Sequence, residues 1–228
     1  MTSLAQFFGS MLFYIYEVVD NYGLAIILFT ILIKAAMLPL TFKQAKSMKK
    51  TQEIQPKIKE LQVKYKNDKE KLNQKIMELY QEHNVSPFSS CLPLLIQFPI
   101  IIGLFTALRN PEVYVFESAE IYAAIDTSFL WLSSLAEADP WILPLLAGIT
   151  TYLSSATMSA GAQGSAQSTQ KTMNYIFPVM IFVMTTDQVF GQGFPAGLAL
   201  YWVVSNTFQF VQQLVITKPN ALFKGGTK

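Results

Sequence analysis

Five long apolar stretches, separated by segments whose charge alternates in sign, constrain this chain more than any other feature. A membrane-spanning helix needs about 20 mostly apolar residues. Such stretches occur at 22–42, 88–108, 141–158, 173–186 and 195–216. The connections follow a charge code. Eleven lysines lie between Lys43 and Lys75, one more at Lys171, and three in the tail at Lys218, Lys224 and Lys228. With five spans, all of these share one side of the membrane. The other side then carries Glu17, Asp20, Glu112, Glu117, Glu120, Asp126, Glu137, Asp139 and Asp187, against Arg109 alone. Lysine and arginine mark the cytoplasmic loops. The expectation is therefore an all-α polytopic protein of the bacterial plasma membrane, with its N-terminus outside and its C-terminus in the cytoplasm. An even number of spans would scatter the lysines over both faces.

The connections have characters of their own. Residues 1–20 form an apolar and aromatic stretch that abuts the first span without a loop, and read as an N-terminal amphipathic interfacial helix. Residues 109–140 make an acidic outer loop with interleaved aromatics, the kind found at headgroup depth. Residues 159–172 are small and polar and read as a cytoplasmic loop, 187–194 as a short outer loop, and 217–228 as a cytoplasmic tail. Residues 43–87 are too long for a plain connection. There Ile54, Ile58, Leu61 and Tyr65 recur at helical spacing, with Pro56 near a helix start. Asn67 and Glu70 suggest a capping box for a second helix bearing Leu72, Ile76, Leu79 and Tyr80, which Ser86-Pro87 stops. The outcome is a cytoplasmic helical hairpin, either a solvated spacer that prefers anionic lipid or a docking element for a client.

Lys34 is the residue that speaks to function. It stands inside the first apolar stretch, about 12 Å from that stretch's cytoplasmic end. Placing lysine at mid-bilayer costs roughly 2.5–3.5 kcal/mol on insertion scales, and no span carries an acid to neutralise it. Water or polar neighbours must solvate the ammonium. Thr30 precedes it by one turn, Gln97 lies in the second span, and Trp202, Asn206, Gln209 and Gln213 fall on one arc of the fifth. A stripe of amides facing lipid is costly, so it should face protein or water. Together these residues suggest a polar cationic groove reaching into the bilayer from the cytoplasm. The bland alternative is that the amides join helices and Lys34 snorkels to the interface.

Enzyme chemistry finds no support. The single histidine, His83, stands at a helix end, and the single cysteine, Cys91, excludes an intrachain disulfide and reads as a small buried hydrophobe. There is no zinc motif, phosphate-binding glycine loop or intramembrane aspartate. Neither a cofactor nor a metal is called for, and the net charge of +2 gives no reason to expect nucleic acid. No cleavable signal peptide is expected.

The order of motifs resembles a known family. It runs from Lys34 to Leu40, then IQPKIKELQVKY (Ile54 to Tyr65), CLPLLIQFPI (Cys91 to Ile100), FLWLSSLAEADP (Phe129 to Pro140) and FPAGLALYWVVSN (Phe194 to Asn206). This is similar to the YidC/Oxa/Alb membrane protein insertases of the short five-span type, over nearly the whole chain. The resemblance implies a groove open to cytoplasm and lipid but closed outside. In it, Lys34, Gln97 and Trp202 match groove positions, and a cation attracts acidic segments of nascent membrane-protein clients. It also brings the Sec translocase and the ribosome into view as partners beside the lipid bilayer. Most bacterial members carry arginine where this chain has Lys34; lysine keeps the charge and loses the bidentate fork. No lipobox cysteine precedes the first span, and the tail is short and modestly basic. A small-solute transporter or channel and a membrane-protein assembly scaffold are the rival functions; no internal repeat favours a transporter.

Overall fold

A computed structural model describes residues 2–84, 92–159, 165–186 and 193–217. It is helical, and among these residues the only β feature is an isolated bridge between Phe129 and Leu132. Cys91, the Ser86-Pro87 stop, Asp187 and the tail lysines lie outside the described residues.

Helix α1 (Thr2–Val19) turns into α2 (Tyr22–Ala36) within two residues. Asp20 adopts a left-handed conformation (φ 49°) and its N–H closes on the Tyr16 carbonyl at 2.8 Å. Asn21 then caps α2, its side chain accepting from the Leu24 N–H at 2.9 Å. The turn makes the helices antiparallel neighbours: the Tyr16 ring meets Tyr22, and Phe8 meets Phe29 further along, with centroids 6.4 and 5.9 Å apart. The apolar side of α1 is therefore packed against protein, with Ala5 and Leu12 fully buried, and Phe7, Tyr14 and Val18 face outward.

The first apolar stretch is not one straight helix. It breaks at Met37, and α3 (Leu38–Lys64) leaves α2 at 55°. Pro39 is the cause: it has no N–H for the preceding turn, and its ring crowds the carbonyl four residues back. The six residues from Met37 to Phe42 consequently rise only about 5 Å along the α2 axis, where a straight helix gives about 9 Å. Lys34 thus lies three residues before the bend at Met37. Pro56 is interior to α3 and not near its start, because the helix already begins at Leu38. Pro56 is exposed, so water can serve the carbonyl its missing N–H leaves open. Helix α4 (Lys69–Glu82) folds back on α3, and its cap is Asp68, which accepts from the Lys71 N–H at 3.0 Å, in place of the expected Asn67 box. Ile54, Ile58 and Leu79 form a small apolar cluster of their own, flanked by Leu61, Ile76 and Tyr80.

The rest of the chain makes a bundle: α5 (Leu92–Arg109), short α6 (Pro111–Tyr114) and α7 (Ala119–Ala124), then α8 (Ile142–Ser159), α9 (Ser165–Thr185) and α10 (Ala196–Thr217). Helix α9 starts at Ser165, earlier than residue 173. Serine, glutamine and alanine are compatible with a helix, and a polar composition alone does not end one. Helix α10 is central, packing on α8 to one side and on α2 to the other, with α9 against α8 and α1 against α2 and α5. Close approach is allowed at Gly103, where a Cβ would strike the Phe8 ring at 2.7 Å.

Among the described residues, no single helix is both long and apolar enough to cross a membrane alone; α2 and α3 together pass that test as a bent pair. Helix α10 is long enough at 22 residues, but Ser205, Asn206, Gln209, Gln212 and Gln213 dilute its apolar character. Those polar residues define the site.

Candidate functional site

Lys34 sits at the end of α2 with only 9% of its surface exposed. Its ammonium donates to Gln97 Oε1 of α5 at 3.3 Å. Gln97 Nε2 donates in turn to the Tyr201 hydroxyl of α10 at 2.6 Å. Three helices thus meet in one polar chain. Tyr201 is buried, and Ser205, one turn along, is the phenol's other hydrogen-bond partner. The arrangement fixes the amide: with its N–H spent on the phenol, Gln97 presents its carbonyl to the lysine. Among the described residues no carboxylate lies within ion-pair distance of Lys34. An amide oxygen solvates a cation without cancelling its charge, so Lys34 remains able to attract an acid from elsewhere.

Thr30 is fully buried one turn before Lys34, but its hydroxyl donates to the Ile26 carbonyl at 2.6 Å, within its own helix. Trp202 and Asn206 point elsewhere. The Trp202 indole N–H and the Asn206 amide both donate to Thr151 Oγ1 of α8, at 3.0 and 2.9 Å. Thr151 passes its own hydrogen to the Ala147 carbonyl at 2.6 Å. Gln209 and Gln213 continue that arc, and both are engaged in interactions.

Helix α10 therefore has two polar faces. At about 100° per residue, Tyr201, Ser205 and Gln212 share one arc, and Trp202, Asn206, Gln209 and Gln213 share the next, roughly a quarter-turn away. The first faces α2, α3 and α5; the second begins against α8. Gln212 extends the first face to the bend, donating to Thr41 Oγ1 at 2.6 Å. Sequence reasoning named the second arc and Gln97, and places Ser205 and Gln212 beside that arc, but missed Tyr201 and Thr151. The signal was present in part: Tyr201, Ser205 and Gln212 fall four and seven residues apart, a helical spacing of polar groups parallel to the stripe that was read.

Asp139, counted in the sequence among the outer-side acids, is buried. It is 3% exposed, unlike a solvated loop acid. Oδ1 accepts from the Trp141 and Ile142 N–H groups at 2.9 and 3.1 Å, and Oδ2 from the Leu143 N–H and the Trp131 indole at 3.0 and 2.8 Å. Burial pushes its pKa upward, but these four donors outweigh burial and hold the carboxyl below the ordinary 3.8. Asp-Pro ahead of an apolar helix is a capping signature that could have revealed it.

In the hairpin, Ile54 and Ile58 are buried, Leu61 is half-buried and Pro56 is exposed. His83 ends α4 and meets the Lys57 ammonium with its Nε2 at 3.0 Å.

A helical bundle with a buried cation held by an amide is the class these features define. The profile of the 60Kd inner membrane protein family matches residues 14–222. "Membrane protein insertase YidC" of Caldanaerobacter subterraneus subsp. tengcongensis is 40% identical over 227 residues, covering 99% of each chain. The protein of the same name from Fusobacterium nucleatum is 41% identical over 219 residues, covering 96% of this chain and 97% of that one. "Membrane protein insertase MisCA" of Bacillus subtilis is 42% identical, covering 88% of this chain and 72% of its own. A crystal structure of an active YidC insertase with its first transmembrane domain resolved matches with a TM-score of 0.63 at 27% identity, over 92% of this chain and 44% of that one. The chain belongs to the 60Kd inner membrane protein family, the family of the YidC insertases.

Proposed function

We propose that this protein inserts other membrane proteins into the bacterial plasma membrane, with Lys34 as the electrostatic bait for acidic segments of its clients. The names of its relatives support insertion as the activity. The observation that carries the mechanism is the Lys34–Gln97–Tyr201 chain: a buried cation solvated by an amide, with no carboxylate in ion-pair reach among the described residues. In this reading α2, α5, α8, α9 and α10 span the membrane, with the N-terminus outside and the lysine-rich hairpin in the cytoplasm. The α10 stripes line a hydrated groove open to the cytoplasm and closed outside. A short hydrophilic client segment enters the groove, is held near Lys34, and crosses a shortened apolar distance while the apolar part of the client moves into lipid. Mid-bilayer charge costs several kcal/mol, so partial solvation changes the rate by orders of magnitude. The Sec translocase and the ribosome are partners this reading allows.

The test is rescue of an insertase-depleted bacterium, together with client insertion into liposomes holding the purified protein alone. Growth with wild type and with Lys34→Arg, and failure with Lys34→Glu, is expected. Rescue by Lys34→Glu defeats the electrostatic mechanism. Insertion that requires added partners turns the protein into an assembly scaffold, and solute flux without client transfer turns it into a transporter.

A further inference from the structure

Helix α3 buries one side along much of its length, and that side changes character. Towards the hairpin tip, Ile54 and Ile58 pack with Leu79. Nearer the bend the same side turns polar, because Thr41, Gln44 and Thr51 fall on the arc of the two isoleucines. Gln44 is 6% exposed and Thr51 is buried with it. The threonines satisfy their hydroxyls within α3: Thr41 donates to the Leu38 carbonyl at 3.0 Å and Thr51 to the Ser47 carbonyl at 3.1 Å. Gln44 finds no such partner. Its Nε2 is shut off from solvent and has no acceptor. A buried donor left this way costs roughly tenfold in a folding equilibrium, and an apolar side chain of the same shape avoids that cost. Among the described residues, the other buried side-chain atom in this state is the Tyr22 hydroxyl, at the far end of the bundle beside Tyr16 and Phe116. Gln44 instead stands where the hairpin meets the bundle. One turn before it, Thr41 receives the Gln212 amide of α10 at 2.6 Å. Lys34 lies ten residues earlier, beyond the bend at Met37. That is about 15 Å of helix, the reach of roughly four or five residues of extended chain.

We propose that Gln44 is a second client-binding residue, whose side-chain amide donates a hydrogen bond to main-chain carbonyls of a client segment passing from the hairpin towards Lys34. The proposal rests on the insertase reading above. The ligand is a peptide main chain because such a chain offers an acceptor at every residue, so one fixed donor finds a partner in whatever register the segment passes. A neutral amide does not select side-chain charge, which leaves the choice of acidic segments to Lys34. The Gln212–Thr41 hydrogen bond ties α10 across this side of α3, and a pivot of α3 at the Met37 bend uncovers Gln44. The unfilled donor lowers the cost of that opening, since in the open form the amide meets a carbonyl or water. A glutamine kept here at the expense of stability is one that works on something outside the closed fold.

The test sets insertion rate against stability in the full chain. Gln44→Leu and Gln44→Met remove the donor and nearly keep the volume. Both should melt in detergent at or above the wild-type temperature. Both should insert neutral-tailed and acidic-tailed clients into liposomes about fivefold more slowly, the rate equivalent of one lost hydrogen bond. Insertion at the wild-type rate overturns the proposal. So does a lower melting temperature in both variants, which would mean that an ordered water already satisfies the donor. Failure of both to accumulate as folded protein overturns it for the same reason, and slowing confined to acidic tails overturns the main chain as ligand. Contact is read separately, with Gln44→Cys in a Cys91→Ser background and stalled clients that carry single cysteines at successive positions. Disulfides at several adjacent client positions are expected, and none at any position overturns the proposal. The two readings fail differently: a wild type that inserts no client defeats the insertase reading, whereas a wild type matched by Gln44→Leu defeats this proposal alone.

Discussion

Reversing the charge at position 34 should slow insertion in proportion to the acidity of the client, and the structure sets the scale. Lys34 is 9% exposed and bonded to one amide oxygen, so a client carboxylate reaching about 4 Å from its ammonium would meet a nearly uncancelled charge. At an effective dielectric of about 20, such a pair is worth about 4 kcal/mol. That is an upper bound, since a wet groove screens the pair further. Each 1.4 kcal/mol is about tenfold in rate. Lys34→Glu replaces attraction by repulsion, so a client with two acids in its outer tail should insert at least tenfold more slowly. Lys34→Ala should fall between, and Lys34→Arg should match wild type. A neutral-tailed version of the same client should differ less than threefold across the series, because it gains no Coulombic energy. The assay is protease protection of radiolabelled clients in liposomes, with tails of zero, one and two acids. Equal slowing of neutral and acidic tails by Lys34→Glu would refute the reasoning and reduce Lys34 to a structural residue.

Four further outcomes are expected. Tyr201→Phe removes the acceptor that fixes Gln97; stability should fall by about 1 kcal/mol, and acidic-tailed clients should insert severalfold more slowly while neutral ones do not. Thr151→Val deprives Trp202 and Asn206 of their common acceptor. At about 0.6 kcal/mol per interhelical bond in membranes, the loss should be about 1 kcal/mol, read by detergent melting. The folded-state pKa of Asp139 is lowered below 3.8, so the stability it contributes is complete above that value and disappears as pH falls through the lower folded value. Thermal scans should therefore show wild type losing more melting temperature than Asp139→Asn below about pH 4. Ile58→Ala, in the small hairpin cluster, should cost about 2 kcal/mol locally, speeding hydrogen exchange over Lys69–Glu82 without lowering the melting temperature of the bundle.

The helical class of this protein, the alternation of apolar and lysine-rich segments, the α3–α4 hairpin and the oddity of Lys34 were all legible in the sequence, because each rests on local periodicity or on a charge whose cost does not depend on its neighbours. Packing decided the rest. That Gln97 rather than Thr30 receives the lysine, that Tyr201 orients Gln97, and that Trp202 and Asn206 turn to Thr151 all follow from which helices lie beside α10 and at what rotation. A single helix pattern cannot tell two polar stripes a quarter-turn apart which neighbour each will meet. In the sequence Asp139 is one of nine outer-side acids; only the folded loop shows that it is buried and caps α8. Composition told which groups need partners; only the tertiary structure could say which partners they found, since hydrogen bonds between helices depend on distances set by residues far apart in the chain.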